Sequence, residues 1–376
     1  MMNYDDIRPY DDNEVPQYIN ELVKDEVFKK VLLFIYEDEQ KVRQVLDMVS
    51  KIRTTHELQM KFMRPIINSW IIERITSGVT WSGLENLDNT QSYLFISNHR
   101  DIILDAAILN VIIANAGMNT TEIAIGNNLL IYKWIDFVVK LNRCFVVQRG
   151  LPAKEMLMAS RKLSSYIRES ITQKGNSVWI AQREGRTKDG NDHTQHSLLK
   201  MINLSNKKSL IEGFRELKIV PLSISYEREP CGISKVEEIY KKEFEAYVKT
   251  PEDDLKSMAL GLMRPKGRVH FAFGDPIDKQ LDDIITTDNI NEVMPKLASY
   301  VDECIYKNYT LRPFNYLAAD LINGTRQYDN LIDDNSRIKF DELLGDLVKT
   351  IGEGDAECQK QLFCRMYANP VFNKIR

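Results

Sequence analysis

The chain of 376 residues lacks an apolar run of the roughly 18 uncharged residues that a membrane-spanning helix requires. It has only five cysteines, with no CxxC pair, which argues against a disulfide framework and a thiolate metal site: Cys144, Cys231, Cys304, Cys358 and Cys364. The N-terminus lacks the basic and apolar regions of a signal peptide, so we expect a cytoplasmic protein. No internal repeat or low-complexity linker interrupts the chain.

Charge is nearly balanced overall but unevenly distributed. The net charge is −4, whereas residues 151–220 hold 13 Lys and Arg against 7 Asp and Glu, an excess of +6 that leaves −10 for the rest. Such a basic segment in an acidic protein suggests an anionic ligand or surface, although solvated helix faces would give the same count. A nucleic-acid partner has no support, because the chain is acidic and shows no basic-aromatic motif.

Short apolar runs alternate with helical patterns between residues 92 and 277. Strands are predicted at Tyr93–Ile96, Glu122–Ile125, Cys144–Gln148, Ser177–Ala181, Ile219–Ser225 and Val269–Phe273. Helices are predicted near 101–116, 129–141, 153–173 and 197–216. This alternation predicts an α/β fold with a largely parallel sheet flanked by helices.

Helical patterns also flank this segment, over residues 15–80 and 283–376, and the second of them has a predicted cap or turn at Thr287–Asn289. The predicted organisation is a helical N-terminal region (1–84), a central α/β domain (85–282) and a helical C-terminal region (283–376).

The stretch YLFISNHRDIILDAAIL (93–109) places His99 between an apolar strand and an apolar helix predicted to begin at Asp101. In that helix Asp101 and Asp105 would share one face. A histidine at the carboxyl end of a strand, with a carboxylate to accept its ring N–H, is the arrangement of a general base. The alternative is that His99 caps the helix and Asp101 suits its dipole; the pair alone gives both interpretations about even weight.

Two further strands end in charged residues. RCFVVQRG (143–150) delivers Arg149, and WIAQREGR (179–186) delivers Arg183, Glu184, Gly185 and Arg186. Because arginine can donate two hydrogen bonds to an oxyanion, these ends suggest a phosphate site, and Gly185 would admit a substrate close to the backbone.

Taken in order, these clusters resemble the glycerolipid acyltransferase family, typified by 1-acylglycerol-3-phosphate acyltransferase. The family's first block, Asn-His with a downstream Asp, resembles Asn98, His99 and Asp105. Its second block, an apolar strand ending in Arg, resembles FVVQR (145–149). Its third, Glu-Gly-Thr-Arg, resembles Glu184-Gly185-Arg186, and its fourth, an apolar-Pro turn, resembles IVPL (219–222). FGDPI (273–277) resembles the Gly-x-Pro after the last core strand. The resemblance covers roughly residues 85–280.

The chain departs from the family pattern in two places. Five residues, not four, separate His99 from Asp105, and Asp101 lies too near to be the family aspartate, so either carboxylate could orient His99; we prefer Asp105, with the extra residue absorbed before the helix. The third block lacks the Thr between Gly185 and Arg186, and Thr187 follows instead.

The resemblance implies acyl transfer from an acyl thioester, on coenzyme A or acyl carrier protein, to the hydroxyl of a phosphate-bearing lipid acceptor, without a cofactor or metal. His99 would be the base, oriented by Asp105 or Asp101. Asn98, Arg149, Glu184, Gly185 and Arg186 would bind the acceptor. A hydroxyl needs such a base to attack at neutral pH.

A lipid acceptor further implies peripheral contact with the inner face of a membrane. Candidate segments are 67–81 and 129–141, the second with Lys133 and Lys140 flanking an apolar side, although ordinary core packing is favoured for it about 2 to 1.

Two other functions fit parts of the sequence. Glu184, Asp192, His193 and His196 could form the metal site of a hydrolase, which we weigh at about one in ten on this spacing. The altered spacings would also suit a non-catalytic lipid-binding protein with the same fold.

Overall fold

The computed structural model describes residues 2–244, 250–352 and 354–375. Within these ranges seven strands form one sheet: β1 Thr76–Ser82, β2 Leu94–Ser97, β3 Glu122–Gly126, β4 Cys144–Val147, β5 Val178–Ala181, β6 Ile219–Tyr226 and β7 Gly267–Phe273. The strand order is β1-β7-β6-β2-β5-β3-β4. Five strands, from β6 to β4 in this order, are parallel; β7 is antiparallel to β6, and β1 is parallel to β7. The predicted α/β class with a largely parallel sheet is confirmed.

Helices lie between the parallel strands and cover both faces of the sheet, as crossover connections require. They are α7 Leu104–Asn115, α8 Lys133–Leu141, α9 Ala153–Thr172, α10 His196–Asn203 and α11 Leu210–Arg215, followed by α12 Gly232–Phe244 and α13 Pro251–Met263 before β7. One face packs on α9, α10 and the later helix α15 (Ile290–Asn308), and the other packs on α7 and residues 67–75.

The N-terminal region is helical through Ile75. Its helices are α1 Val15–Leu22, α2 Glu26–Tyr36, α3 Glu39–Ser50, α4 Thr55–Leu58, α5 Arg64–Ile66 and α6 Glu73–Ile75, with π-helical turns at Gln59–Met63 and Ile67–Ile72. They bury a core of their own against Phe137 and Leu141 of α8. The predicted core packing of segment 129–141 is therefore what the structure shows.

The C-terminal region is helical as predicted, with α14 Gln280–Ile284, α15, α16 Pro313–Asn323, α17 Asp334–Ile351 and α18 Ala356–Ile375. Asn289 caps α15 by accepting a hydrogen bond from the backbone N–H of Asn291. Helices α12, α16, α17 and α18 share a separate apolar core.

Several predicted elements are corrected. Residues 76–80 belong to strand β1 and not to a helix. This strand was not predicted, because it lies at the exposed edge of the sheet and has no apolar pattern. It also lies before the predicted domain boundary at residue 85. The helix predicted at 197–216 is two helices, since Ser209 and Glu212 form a capping box that starts α11. The helix predicted from residue 129 starts at Lys133, and the one predicted from Asp101 starts at Leu104.

Candidate active site

His99 and Asp105 form a hydrogen-bonded pair beyond the carboxyl end of β2. The Nδ1 atom of His99 lies 2.9 Å from Oδ2 of Asp105. An ionised carboxylate can only accept, so Nδ1 is the donor in this bond and Nε2 is the ring nitrogen that the pair leaves available. The ring of Trp179 packs edge-on against the imidazole at 5.7 Å between centroids. His99 lines the main cavity, whereas Asp105 is fully buried behind it.

Asp105 is held by three donors besides the imidazole. Its Oδ2 accepts the backbone N–H groups of Arg100 at 2.7 Å and Asp101 at 3.0 Å, and its Oδ1 accepts the hydroxyl of Tyr226 at 2.8 Å. Burial, together with the Asp105 charge, raises the pKa of Tyr226 well above its usual value, so the phenol keeps the proton it donates. The carboxylate is thereby fixed in position beneath the histidine.

Asp101 has a different place from the one predicted. It precedes α7, and its Oδ1 accepts the backbone N–H groups of Ile103 and Leu104 at 2.9 Å each. The two aspartates therefore do not share a helix face. Residues 100–103 form a turn before α7 that absorbs the extra residue between His99 and Asp105, as preferred from the sequence.

Asn98 is fully buried and does not line the cavity. Its amide accepts from the backbone N–H of Ile224 at 2.8 Å and donates to the carbonyl of the same residue at 2.9 Å. This bidentate contact joins the end of β2 to β6. Asn98 therefore does not reach the cavity, as a substrate-binding residue would, and its side chain instead fixes the backbone next to His99.

Arg149, Glu184, Gly185 and Arg186 all line the cavity with His99. Nε of Arg149 lies 3.4 Å from Glu184 Oε1, and Arg149 Nη1 donates to Oδ1 of Asn128 at 3.2 Å. Glu184 is largely exposed, so this ion pair is a weak one. Gly185 has φ +70°, a conformation that favours glycine, and open space where a Cβ would lie.

Arg186 is the most buried of the cavity-lining arginines, at 9% exposure. Its Nη1 is buried without a hydrogen-bond partner, as is the Nε of its neighbour Arg183. A buried cation without partners is costly, so an anion entering here would satisfy donors that the described protein atoms leave free.

An apolar cavity of about 650 Å³ runs from this polar corner into the protein. Its walls come from α2, the helical stretch 59–71, α7, α8, α9 and α13, with lining residues that include Leu32, Phe62, Trp70, Ile103, Val139 and Met258. A cavity of this size and lining suits an alkyl chain.

Part of the basic excess of residues 151–220 is neutralised by acidic residues elsewhere in the fold. Lys162 pairs with Asp6, Lys188 with Glu238, and Arg215 with Asp278 and Asp282. Arg168 and Lys208 both pair with Glu216 inside the segment. Arg183 and Arg186 are the basic residues of this segment that line the cavity.

The alternative metal site is not assembled. Asp192 is buried in contact with Arg100, and His193 is exposed with its ring near the carbonyl of Asn191. Nowhere in the described ranges do three His, Cys, Asp or Glu side chains converge in a way that could hold a metal ion.

Tyr226 and Trp179, both of which support the catalytic pair, were not predicted as site residues. Each lies in a strand whose apolar pattern predicts only that the residue belongs to the hydrophobic core, where both residues are found. Only the register of β2 against β5 and β6 brings them beside residues 97–105.

Residues 78–226 match a family model described as Acyltransferase. The chain carries an acyltransferase domain. This confirms, for the central domain, the family resemblance seen in the sequence. The match includes β2 to β6 and every residue of the candidate site, but it leaves out the N-terminal helices and everything after Tyr226.

Comparison with curated proteins gives no match. Among solved structures, the crystal structure of the 1-acyl-sn-glycerophosphate (LPA) acyltransferase PlsC from Thermotoga maritima aligns with a TM-score of 0.39 and 13% sequence identity. The alignment covers 77% of this chain and 91% of that one. None of the described helices is long and apolar enough to cross a membrane.

Proposed function

We propose that the protein transfers a fatty acyl group from an acyl thioester to the hydroxyl of a glycerophosphate or lysophospholipid, as a step in phospholipid synthesis. One observation carries the proposal. The His99–Asp105 pair opens onto an apolar cavity that is also lined by Arg186, whose Nη1 is buried without a hydrogen-bond partner. A base, an acyl-chain pocket and an anion site are thus in one place.

In the proposed reaction Nε2 of His99 removes the proton of the acceptor hydroxyl as the oxygen attacks the thioester carbonyl. The new C–O bond forms, the tetrahedral intermediate collapses with cleavage of the C–S bond, and the proton on His99 passes to the leaving thiolate. Asp105 holds the tautomer and stabilises the imidazolium. The donor is an acyl thioester of coenzyme A or of acyl carrier protein, and the chemistry requires neither a metal nor another cofactor.

The acceptor phosphate would lie against Arg186 and Arg149, with Arg183 beside them. Guanidinium groups suit this because they stay charged and offer paired donors. The acyl chain would fill the apolar cavity, with its carbonyl near His99. Glu184, which pairs with Arg149, would limit the mobility of that side chain.

Incubation of the purified protein with palmitoyl-CoA, palmitoyl-acyl carrier protein and a panel of glycerol phosphates and lysolipids tests this function. Mass spectrometry should detect an acylated phospholipid product with at least one donor and acceptor. Two results would contradict the proposal: equal product formation by the His99→Ala variant, or no product from the wild-type protein with any of the donors.

We also propose peripheral contact with the inner face of a membrane, through apolar residues around the cavity. Elements that line the cavity carry exposed apolar side chains next to the lining ones: Val27, Leu33 and Phe34 on α2, Ile131 and Tyr132 before α8, Leu157 and Met158 on α9, and Met263 at the end of α13. Exposed lysines such as Lys30, Lys133 and Lys154 are interspersed and suit anionic headgroups.

This surface overlaps the predicted segment 129–141 only at its start and does not include the predicted segment 67–81. In 67–81, Ile67, Ile71 and Ile75 are buried, and in 129–141 only Ile131, Tyr132 and Lys133 are exposed. The double variant Phe34→Asp/Met158→Asp should bind vesicles of anionic phospholipid at least tenfold more weakly. A matched control, Ile338→Asp, alters an equally exposed residue on α17, away from the cavity, and should bind as wild type. Equal binding by all three proteins would contradict the surface.

A further inference from the structure

Arg100, which follows His99, is fully buried and does not line the cavity. Its Nη2 contacts Oδ2 of Asp192, and its Nη1 lies 3.4 Å from Oε2 of Glu229. The guanidinium also lies over the ring of Tyr309, 5.4 Å from the centroid. A cation without any solvent contact needs such partners to offset the loss of hydration.

The backbone of the same residue contacts both the catalytic pair and a second buried cation. Its N–H is one of the donors that hold Asp105, at 2.7 Å. Its carbonyl accepts Nζ of Lys235 at 2.8 Å, and Lys235 in turn pairs with Glu229 at 2.6 Å. Arg100, Asp192, Glu229 and Lys235 thus form a four-residue buried charge cluster directly behind His99 and Asp105.

The cluster continues into the loop that carries Arg186. Asp192 Oδ1 accepts the hydroxyl of Thr187, and the backbone N–H of Thr187 donates to the carbonyl of His99 at 2.9 Å. The turn with the base and the loop with the anion-facing arginine therefore share the same partners. A displacement of Asp192 would move both.

Helices outside the segment that matches the family model complete the cluster. The hydroxyl of Tyr306 on α15 donates to the carbonyl of Asp192, and the N–H of Glu229 donates to the hydroxyl of Tyr367 on α18 at 2.8 Å. On the same loop, Thr194 donates through its N–H and hydroxyl to Asp302 of α15 at 2.7 and 2.6 Å. The C-terminal helices thereby hold the back of the active site.

We propose that Arg100 is a positioning residue for acyl transfer: the buried charge cluster sets His99 and Asp105 at a fixed distance from Arg186, and the C-terminal helices are part of this device. The inference rests on the proposed function and extends it, because it assigns to residues beyond Tyr226 a part in the reaction. Each charged side chain of the cluster contacts one of opposite charge, while Nε of Arg100 is buried without an acceptor. Buried charges paired in this way can specify one local arrangement where apolar packing would permit several.

Kinetics of Arg100→Met with palmitoyl-CoA and a lysophosphatidate acceptor test the proposal. The change removes the charge but keeps an unbranched side chain. We expect kcat per folded molecule to fall at least tenfold and the acceptor KM to rise, because both the base and Arg186 lose their support. The KM for palmitoyl-CoA should change less than twofold, since the apolar cavity is not lined by the cluster. Arg100→Lys, which keeps the charge, should recover part of kcat.

Arg143→Met is the matched control. Arg143 also pairs with a buried carboxylate, that of Glu122. This pair lies at the amino ends of β3 and β4, whereas His99 lies beyond the carboxyl end of β2. A lower melting temperature with unchanged kcat and acceptor KM is expected for this control. The same behaviour in Arg100→Met, or an equal loss of kcat in both variants, would overturn the proposal.

Thr187→Val tests the role of the charge cluster if Arg100→Met does not fold. It is nearly isosteric and removes only the hydroxyl that joins the Arg186 loop to Asp192. The expected result is a two- to fivefold rise in the acceptor KM, and unchanged kinetics would refute the cluster's role. Wild-type protein that transfers no acyl group would instead refute the proposed function itself.

Discussion

The carboxylate of Asp105, and not that of Asp101, bonds the imidazole of His99, at 2.9 Å from Nδ1. Asp101 instead caps the turn before α7. The two residues lie in the same short segment and have the same chemistry, but only one can fix the tautomer of the base. This difference gives the site a direct internal control.

Asp105→Asn should lower kcat by a factor of about 10²–10⁴, because an amide can present a donor to Nδ1 and favour the wrong tautomer. Asp101→Asn keeps an oxygen that can accept the two backbone N–H groups and should cost less than about threefold. Initial rates at saturating substrate measure both. The reverse order of the two effects would show that the observed pairing is not the one used.

Arg186→Met should raise the acceptor KM by about 10- to 100-fold, the cost of losing charge-assisted hydrogen bonds in a buried place. The KM of Arg186→Met for the acyl donor should be nearly the same as that of wild type. Arg161→Met, a change on the exposed face of α9, serves as the control and should leave the acceptor KM unaltered. An Arg186 variant with wild-type acceptor KM would mean that the phosphate binds elsewhere.

Ala159→Phe should shift the preferred acyl chain to a shorter length. Ala159 lines the cavity from α9, and a phenyl group there would take up space that an alkyl chain needs. The neighbouring Met158 is exposed on the same helix, so Met158→Phe is the matched control and should leave the profile unchanged. Competition among acyl-CoA donors of graded length measures the shift, and identical profiles for all three proteins would place the acyl chain outside this cavity.

The stability of the protein should contain a pH-dependent contribution from Asp302. Burial raises the pKa of this carboxyl from 3.8 to about 6, despite its bonds from Thr194. The folded state therefore binds the extra proton between roughly pH 4 and 6, and this contribution to stability is lost as the pH rises through that window.

Urea unfolding of Asp302→Asn and wild type at pH 5 and pH 8 tests this. The amide cannot ionise, so the variant should be stabilised relative to wild type more at pH 8 than at pH 5, by at most about 3 kcal/mol. A difference in unfolding free energy that is the same at both pH values would exclude the contribution.

The sequence was informative where local patterns decide structure. The parallel strands of the central domain have apolar cores between turn signals, and their charged carboxyl ends meet at one edge of the sheet because all of them run in the same direction. That is why His99, Arg149 and Arg186 could be placed together before any distance was known.

Other features depend on long-range contacts. Strand β1 has an irregular register near Gly78 and is mostly exposed, so it carries no apolar periodicity. The start of α7 is set by Asp101 as a cap, which the sequence allowed but did not require. The bonds of Arg100 to Asp192 and Glu229 join residues about a hundred positions apart, and no spacing rule predicts them.

The activity of His99→Ala shows whether His99 is the general base. His193→Ala is the matched control, because His193 is an exposed histidine in the adjacent loop. Asp105 retains three other donors in the variant, so the melting temperature should stay within a few degrees of wild type. We expect acyl transfer by His99→Ala to fall by at least about 10²-fold, and by His193→Ala not at all. A folded His99→Ala protein that transfers acyl groups at the wild-type rate would contradict the account.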